Sequence, residues 1–466
     1  MITSLDTRRR LPILWHLAWP AIIEQIMSML VSFVDTGMVG VLGANATAAV
    51  SINASSIWLV NGILSGIGVG YSVQVANAIG AQDHAKARAV MRQGVLAVAV
   101  VGIAVLVVME ALAGFIPLWL GAKPEVLAGA VTYLRFYTLG LPFATVLAVF
   151  SAILRCSGDT RTPLALNALA NVLNMIFNFF LIYETRVQWG VTIPGAGMGV
   201  GGAALASAMA LCCAALLMLR TVLGNKNRPL SCTPEETYRP DRAIIRQALH
   251  LGLPYIGERL TVNVGQIFMT WLVAGVGTVA LAANQIATTA EGLCYLPAYG
   301  VSFAATALVG QAVGAKNRED AAAYGTLAGR LAFLLCLGTA AALFLGAEPL
   351  VRLFTPDEAV VAEAVRVLRI VAGSEPFFSL SIVYSGALRG AYDVRFPMLV
   401  CLGSMWGVRA VLAPIFIFAL DLGLAGVWTA MALDLTVRGI ICTMRWRRGR
   451  WQILSGLREA PVTKLQ

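Results

Sequence analysis

The sequence has little charge. Only 12% of its 466 residues are Asp, Glu, Lys or Arg, about half the fraction found in ordinary soluble domains. Hydrophobic residues make up 58% of the chain, which is more apolar surface than a soluble core needs. A soluble globular domain, a disordered chain and a collagen-like chain are therefore excluded. The composition predicts an integral membrane protein.

The sequence also lacks the patterns that build disulfides, metal centres and catalytic sites. None of its eight cysteines stands in a Cys-x-x-Cys pair, so we expect no disulfide, no metal site and no cofactor. No Walker motif, His-Glu-x-x-His or Gly-x-Ser-x-Gly is present, and we expect neither an ATPase nor an enzyme. We expect no cleavable signal peptide, because the basic residues 7–10 lead into an apolar run that is too long for one.

Long apolar runs occupy most of the chain. Lipid offers backbone groups no water to bond, so these runs predict helices, and the alternation of a membrane β-barrel is absent. The fold class is an all-α membrane protein with twelve spans, at about residues 13–38, 50–78, 93–118, 128–152, 162–184, 197–220, 247–274, 281–310, 327–350, 361–388, 396–420 and 423–445.

The basic residues predict an orientation for these spans. Most Lys and Arg residues fall in alternate segments between spans, whereas only Lys123, Arg186 and Arg352 fall in the others. Positively charged loops stay on the cytoplasmic side. We therefore expect a multi-pass protein of the cell (inner) membrane with both termini in the cytoplasm. The net charge of +10 is explained by this orientation, and no nucleic-acid partner is expected.

An internal repeat divides the chain into two halves. At a constant offset of 234 residues, charged residues, histidine, proline and glycine recur over about 140 positions. Chance does not produce such a set of matches in an apolar sequence. Six spans separate the copies, so both run in the same direction, as in transporters built from parallel repeats. The recurring pairs include His16 and His250, Pro20 and Pro254, Glu24 and Glu258, Gly80 and Gly314, Arg155 and Arg389, and Asp159 and Asp393.

The repeat predicts two pseudo-symmetric six-helix lobes. The N-lobe (residues 1–220) and the C-lobe (residues 247–446) are joined by a cytoplasmic linker at residues 221–246 and followed by a cytoplasmic tail at residues 447–466. After span 5 the offset falls to 224, which indicates an insertion in the first copy around residues 187–194.

Several segments resemble the multidrug and toxic compound extrusion (MATE) family, and the resemblance covers nearly the whole chain. The segments that carry it are Leu17-Ala18-Trp19-Pro20, Phe33-Val34-Asp35-Thr36, Gly275-Val276-Gly277-Thr278, Ala282-Ala283-Asn284-Gln285-Ile286, Val309-Gly310-Gln311, Leu154-Arg155-Cys156-Ser157-Gly158-Asp159 and Leu388-Arg389-Gly390-Ala391-Tyr392-Asp393. The resemblance implies a monomeric antiporter that exports amphipathic, cationic small molecules in exchange for H⁺ or Na⁺. Within the family, the sequence resembles the DinF-like branch more closely than the NorM-like branch.

The N-lobe carries polar residues within its spans that the C-lobe lacks. Asp35 lies in span 1, and Asn174 and Asn178 share one face of span 5, with Asn171 one turn earlier. Ser207 in span 6 is a further candidate. The resemblance matches Asp35 to the family's carboxylate of the first helix and the pair Asn174 and Asn178 to its polar pair of the fifth. Three interpretations remain open: a proton carrier, a Na⁺ site of carboxylate and amide oxygens, or a structural hydrogen bond between spans.

Four glutamates within spans are candidates for substrate binding or gating, since charge in a bilayer needs a partner or a function. Glu24 and Glu258 are repeat partners, which favours a shared structural role. Glu291 and Glu375 have apolar repeat partners, and either could bind a cationic substrate.

A flippase for a lipid-linked precursor is the alternative function. It would need a basic central cavity for the pyrophosphate, and the spans of the N-lobe contain few basic residues. An antiporter is therefore favoured over a flippase.

Overall fold

The computed structural model describes residues 4–188, 191–224 and 238–457. Helices dominate because each helix satisfies its own backbone hydrogen bonds in an apolar sequence. Those of the first half are α1 (Ser4–Gly40), α2 (Ala44–Gly80), α3 (His84–Leu112), α4 (Ile116–Trp119), α5 (Pro124–Thr138), α6 (Leu141–Cys156), α7 (Arg161–Leu181) and α8 (Gly199–Gly224).

The second half repeats this order of helices. It contains α9 (Arg242–Val276), α10 (Thr278–Gly314), α11 (Arg318–Arg352), α12 (Glu358–Ala372), α13 (Glu375–Gly390), α14 (Arg395–Ser404), α15 (Ala410–Pro414), α16 (Gly423–Arg448) and α17 (Trp451–Leu454). Two π-helical turns, Met405–Arg409 and Ile415–Ala419, flank α15 and continue the same span.

The predicted all-α membrane fold is confirmed. Nine of the described helices are long and apolar enough to cross a membrane, and two bent pairs raise the number to eleven. The remaining predicted span corresponds to α9, which has 35 residues but is not among the eleven. It carries Glu258 and Arg259 within its apolar run.

Two predicted spans are bent rather than continuous. The sequence predicts single helices at 128–152 and 361–388, whereas the structure has a bend of 50° between α5 and α6 and one of 54° between α12 and α13. Pro142 and Pro376 stand in the first turn of the second helix of each pair. Proline has no N–H to continue the preceding helix. The two prolines are one repeat apart, so the bend belongs to the repeat.

A short hairpin interrupts the helical pattern between α7 and α8. Strand β1 (Glu184–Gln188) pairs antiparallel with β2 (Val191–Ala196), where the sequence analysis places an insertion in the first copy. Part of the predicted linker, residues 225–237, and part of the predicted tail, residues 458–466, lie outside the described residues.

The repeat extends to the backbone. Gln82 and Lys316, which are one repeat apart, both adopt a left-handed conformation, with φ of 58° and 55°. The next residues, Asp83 and Asn317, both cap a helix by accepting a hydrogen bond from the backbone N–H three residues on, at 2.9 and 3.0 Å. The two halves therefore share local geometry where their sequences differ.

The chain forms two compact units. Unit 1 comprises Met1–Gln25, Ala76–Gln82 and Leu253–Gln466, and unit 2 comprises Ile26–Val75 and Asp83–Gly252. Helix α1 thus contributes its first part to unit 1 and its remainder to unit 2, and α9 is divided between the units at Gly252. The lobe boundaries at residues 220 and 247 rest on the sequence repeat and stay a prediction.

Two glycines let α2 and α10 approach closely within unit 1. A Cβ on Gly80 would overlap the backbone carbonyl of Gln311, and one on Gly314 would overlap that of Asn77. Gly80 and Gly314 are one repeat apart, as are Asn77 and Gln311. The contact is therefore reciprocal, and neither glycine has room for a side chain.

Candidate functional site

Helix α7 presents polar side chains to the interior of unit 2 and apolar ones outward. Asn174 and Asn178 are 6% and 1% exposed. Val172 and Ile176, on another face of the helix, are 46% and 45% exposed. This is the reverse of a helix in a soluble protein, and it indicates that lipid faces the apolar side of α7.

Asp35 on α1 receives hydrogen bonds from both of these amides. Asn178 Nδ2 donates to Asp35 Oδ1 at 2.7 Å. With its amide nitrogen turned toward Asp35, the orientation that suits both Asp35 and Ser207, Asn174 donates to the two Asp35 oxygens at 2.7 and 3.1 Å. Two amide groups one helical turn apart therefore hold a single carboxylate.

Ser207 on α8 completes the cluster from the other side. In the same orientation, the Asn174 oxygen accepts a hydrogen bond from Ser207 Oγ at 2.8 Å. Gly202 allows α8 to approach α7, since a Cβ there would overlap the backbone of Leu181. We call Asp35, Asn174, Asn178 and Ser207 the Asp35 cluster. Asn171 is half-buried and, within the described residues, has no hydrogen bond to it.

Sequence analysis missed Tyr133 on α5. Its side chain lies near enough to Asp35 for the two groups to interact electrostatically, and its ring stacks on that of Tyr137 at a centroid distance of 6.1 Å. No motif marks these tyrosines, but their four-residue spacing places them on one face of α5. That spacing was the available signal.

The arrangement can exchange one positive charge. The amide donors stabilise an ionised Asp35, because they supply hydrogen bonds to its oxygens. Asn178 Oδ1 is buried and has no hydrogen-bond partner within the described residues. Such an oxygen can accept a hydrogen bond from a protonated carboxyl group, or it can be a ligand of a hard cation such as Na⁺.

The described residues contain no group of three or more His, Cys, Asp or Glu side chains that could hold a metal ion. The Asp35 cluster contains one carboxylate, so its oxygens fit a monovalent cation better than a divalent one.

The candidate glutamates all lie in unit 1, in two different environments. Glu258 forms an ion pair with Arg389, whose Nη2 lies 2.9 Å from Glu258 Oε2. The Arg389 guanidinium also lies over the Tyr255 ring, 4.7 Å from its centroid. Glu24 is 7% exposed and is not without an interaction partner.

Glu291 and Glu375 form a second buried acidic site. Glu375 is fully buried, and neither of its carboxylate oxygens has a hydrogen-bond partner within the described residues. Glu291 is 7% exposed and interacts electrostatically with Arg409 and with Glu375. We call Glu291, Glu375 and Arg409 the Glu375 cluster. Arg409 supplies one positive charge against two acidic groups, so the cluster balances its charge with a proton or a further cation.

The last span contains a buried ion pair between Asp434 and Arg438. Arg438 donates to both oxygens of Asp434 at 2.8 and 2.7 Å, and Ser404 also donates to Asp434. These groups satisfy one another and are a structural link between α14 and α16.

A model of the MatE family matches residues 20–180 and again residues 254–415. The two matches begin one repeat apart and together cover more than half of the chain. The chain belongs to the MatE family. The family assignment, the duplication and the membrane fold thus agree.

MatE relatives cover almost the whole chain. The "Probable multidrug resistance protein NorM" of Thermotoga maritima is 27% identical over 449 residues, which are 96% of this chain and 95% of the relative. The protein of the same name from Pseudomonas aeruginosa is 31% identical over 447 residues, with 93% and 89% covered. The family consists of transporters, so this chain is a multi-pass membrane transporter for small molecules and not an enzyme.

Solved structures of MatE proteins share the fold. "Crystal structure of MATE in the straight conformation" matches with a TM-score of 0.87, 23% identity, and coverage of 95% of this chain and 96% of that one. "Outward-facing conformation of a multidrug resistance MATE family transporter of the MOP superfamily" matches with a TM-score of 0.88 and the same identity and coverage. The predicted two-lobed helical architecture is therefore confirmed.

Proposed function

We propose that this MatE protein is a secondary active antiporter that exports amphipathic, cationic compounds in exchange for H⁺ or Na⁺ by alternating access. The observation that carries the proposal is the convergence of two amide donors on Asp35 within apolar helices. A structural hydrogen bond would need only one of them. No cofactor takes part, and the membrane potential adds about 2.3 kcal/mol per charge for each 100 mV.

If the coupling ion is a proton, its binding changes which groups of the cluster donate hydrogen bonds and which accept them. The Asn174 and Asn178 amides donate to Asp35 when it is ionised. A protonated Asp35 is itself a donor, and rotation of the Asn178 amide would turn its unpartnered oxygen toward it. The two charge states thus favour different side-chain arrangements, which is what coupling requires.

For Na⁺, the same oxygens serve as ligands. The Asp35 carboxylate, the Asn178 oxygen and Ser207 Oγ provide hard donors, and Asn171 on the same helix is a further candidate. The two ions lead to different predictions. In the absence of Na⁺, a pH gradient drives transport only if H⁺ is the coupling ion.

The Glu375 cluster is the proposed site for the cationic part of the substrate. Its charge balance leaves room for one more positive group, and Tyr295 stacks edge-on against Phe378 beside it, with 5.4 Å between centroids. Glu258, which is paired with Arg389, and Glu24 are proposed to act in gating or in holding the helices together.

The remaining details of the assignment are proposed on the sequence. The basic loops support an inner-membrane protein with both termini in the cytoplasm. We also propose that the protein acts as a monomer. The apolar residues Val262 and Phe378, at positions where the NorM-like branch has acidic ones, support the DinF-like branch, although the relatives above carry the name NorM. Those relatives carry the name probable multidrug resistance protein, so the flippase alternative is not favoured.

Transport by reconstituted protein tests the proposal. A lipophilic cationic dye is followed in liposomes under an imposed H⁺ gradient and, separately, a Na⁺ gradient. Asp35→Asn is the test variant. Asp421→Asn is the matched control, because Asp421 is exposed and its left-handed backbone suits asparagine. Gradient-driven transport that is lost only in Asp35→Asn supports the proposal, and equal transport by both variants contradicts it.

A further inference from the structure

One face of α16 joins apolar and basic side chains near the end of the helix. Ile441, Met444, Arg445 and Arg448 follow the spacing that places residues on one helix face. Ile441 and Met444 are 36% and 43% exposed. The face therefore changes from apolar to basic over about 10 Å of helix.

A cavity of about 570 Å³ lies on this face. It is bounded by the apolar and aromatic residues Ile441, Met444 and Phe396 and by three arginines, Arg445, Arg448 and Arg450. All of these belong to unit 1. The cavity therefore joins an apolar groove to a concentration of positive charge.

The three arginines are not equivalent. Arg445 Nε bonds to Asp393 Oδ2 at 2.8 Å, and its guanidinium lies over the Phe396 ring, 4.5 Å from the centroid. The side chains of Arg448 and Arg450 are exposed, and neither forms an ion pair or a hydrogen bond with another described residue. Arg445 is thus fixed as a wall of the cavity, while the other two are available to an anion.

We propose that this cavity binds an anionic phospholipid. Arg448 and Arg450 would contact the headgroup phosphate, for which the guanidinium fork is suited, and Ile441 and Met444 would contact an acyl chain. A zwitterionic lipid leaves the two arginines without a net counter-charge, and a free phosphate leaves the apolar wall unused. The site shares no residue with the Asp35 and Glu375 clusters. A lipid bound there would be a specific partner of the protein in addition to the surrounding bilayer.

Native mass spectrometry of the full chain in detergent tests this site. Phosphatidylglycerol is titrated against wild type and the Arg448→Gln/Arg450→Gln variant, with phosphatidylcholine and inorganic phosphate as competing probes. The variant should bind the first phosphatidylglycerol about tenfold more weakly or worse, because two phosphate contacts are lost. Arg8→Gln/Arg9→Gln removes the same charge from exposed positions on α1 and should bind it as wild type does.

The other outcomes overturn the proposal. Equal weakening in both double variants would mean general attraction to positive charge. Equal binding of phosphatidylcholine, or complete displacement by inorganic phosphate, would mean that no anionic lipid is recognised. The melting temperature of each lipid-free variant shows whether it is folded. Met444→Ser provides an independent readout, since it should weaken lipid binding without changing phosphate binding.

Discussion

Asn178 on α7 donates a hydrogen bond to Asp35 on α1 across 2.7 Å, and the two residues are 143 positions apart in the chain. This contact joins the only carboxylate of the Asp35 cluster to the most deeply buried of its amides. The proposed coupling mechanism depends on this bond being formed in one charge state and rearranged in the other.

We expect Asn178→Ala to impair coupled transport strongly. Loss of a hydrogen bond to a charged group costs about 1.5–3 kcal/mol, which corresponds to about ten- to a hundredfold in ion affinity. The measurement is the ion concentration that gives half-maximal dye transport in liposomes. Val172→Ala is the control on the same helix, since Val172 is 46% exposed on the apolar face away from the cluster. Equal effects of the two variants would contradict the assignment of Asn178.

Glu375→Gln should weaken the binding of cationic substrates. It removes one acidic group from a cluster in which Arg409 already supplies a positive charge, so the balance no longer favours a second cation. We expect the apparent KM for a cationic dye to rise about tenfold, with a much smaller change for a neutral substrate. Glu319→Gln, at an exposed position, is the control. A similar loss for charged and neutral substrates would indicate a structural role instead.

The Glu258–Arg389 ion pair should contribute to stability. Its side chains are 19% and 13% exposed, so removal of either partner leaves a poorly hydrated charge and costs about 1.5–3 kcal/mol. The melting temperature in detergent should fall for Glu258→Gln and for Arg389→Gln. It should fall less for the double variant than for the sum of the two. Additive losses would show that the pair is not coupled.

Gly314→Ala should destabilise the packing of α2 on α10. The new methyl group would overlap the backbone carbonyl of Asn77, and such overpacking costs about 1–3 kcal/mol. Gly338→Ala is the control, because nothing lies within 4 Å of the added Cβ. Alanine there is favoured in a helix by about 0.5–1 kcal/mol. A melting temperature that is unchanged in Gly314→Ala would contradict the close contact.

The sequence predicts the helices and their duplication because both leave local signals. An apolar run is visible in consecutive residues, and the offset of 234 is visible in matching residues such as Pro20 and Pro254. The bends at Pro142 and Pro376 were missed. A proline near the middle of an apolar run does not show whether the span stays one slightly kinked helix or divides into two helices at a large angle.

The candidate site was predicted in part. Asp35, Asn174 and Asn178 stand out because their repeat partners are apolar, and the structure brings them together. Tyr133 does not stand out, since its one signal is its four-residue spacing from Tyr137, and many residues of an apolar span share such a spacing. The proximity of Glu291 to Glu375 joins α10 to α13, and no spacing along the chain predicts a contact between distant helices.

The central claim is that Asp35 couples substrate export to ion entry. The most direct test is the ion flux that the substrate itself triggers. Liposomes that contain wild-type protein and an internal pH-sensitive or Na⁺-sensitive dye are given a cationic substrate under a matching gradient. We expect the substrate to start an ion flux in wild type and in Asp421→Asn, and we expect Asp35→Asn to abolish it. A substrate-triggered flux of the same size in Asp35→Asn would show that Asp35 does not couple export to ion entry.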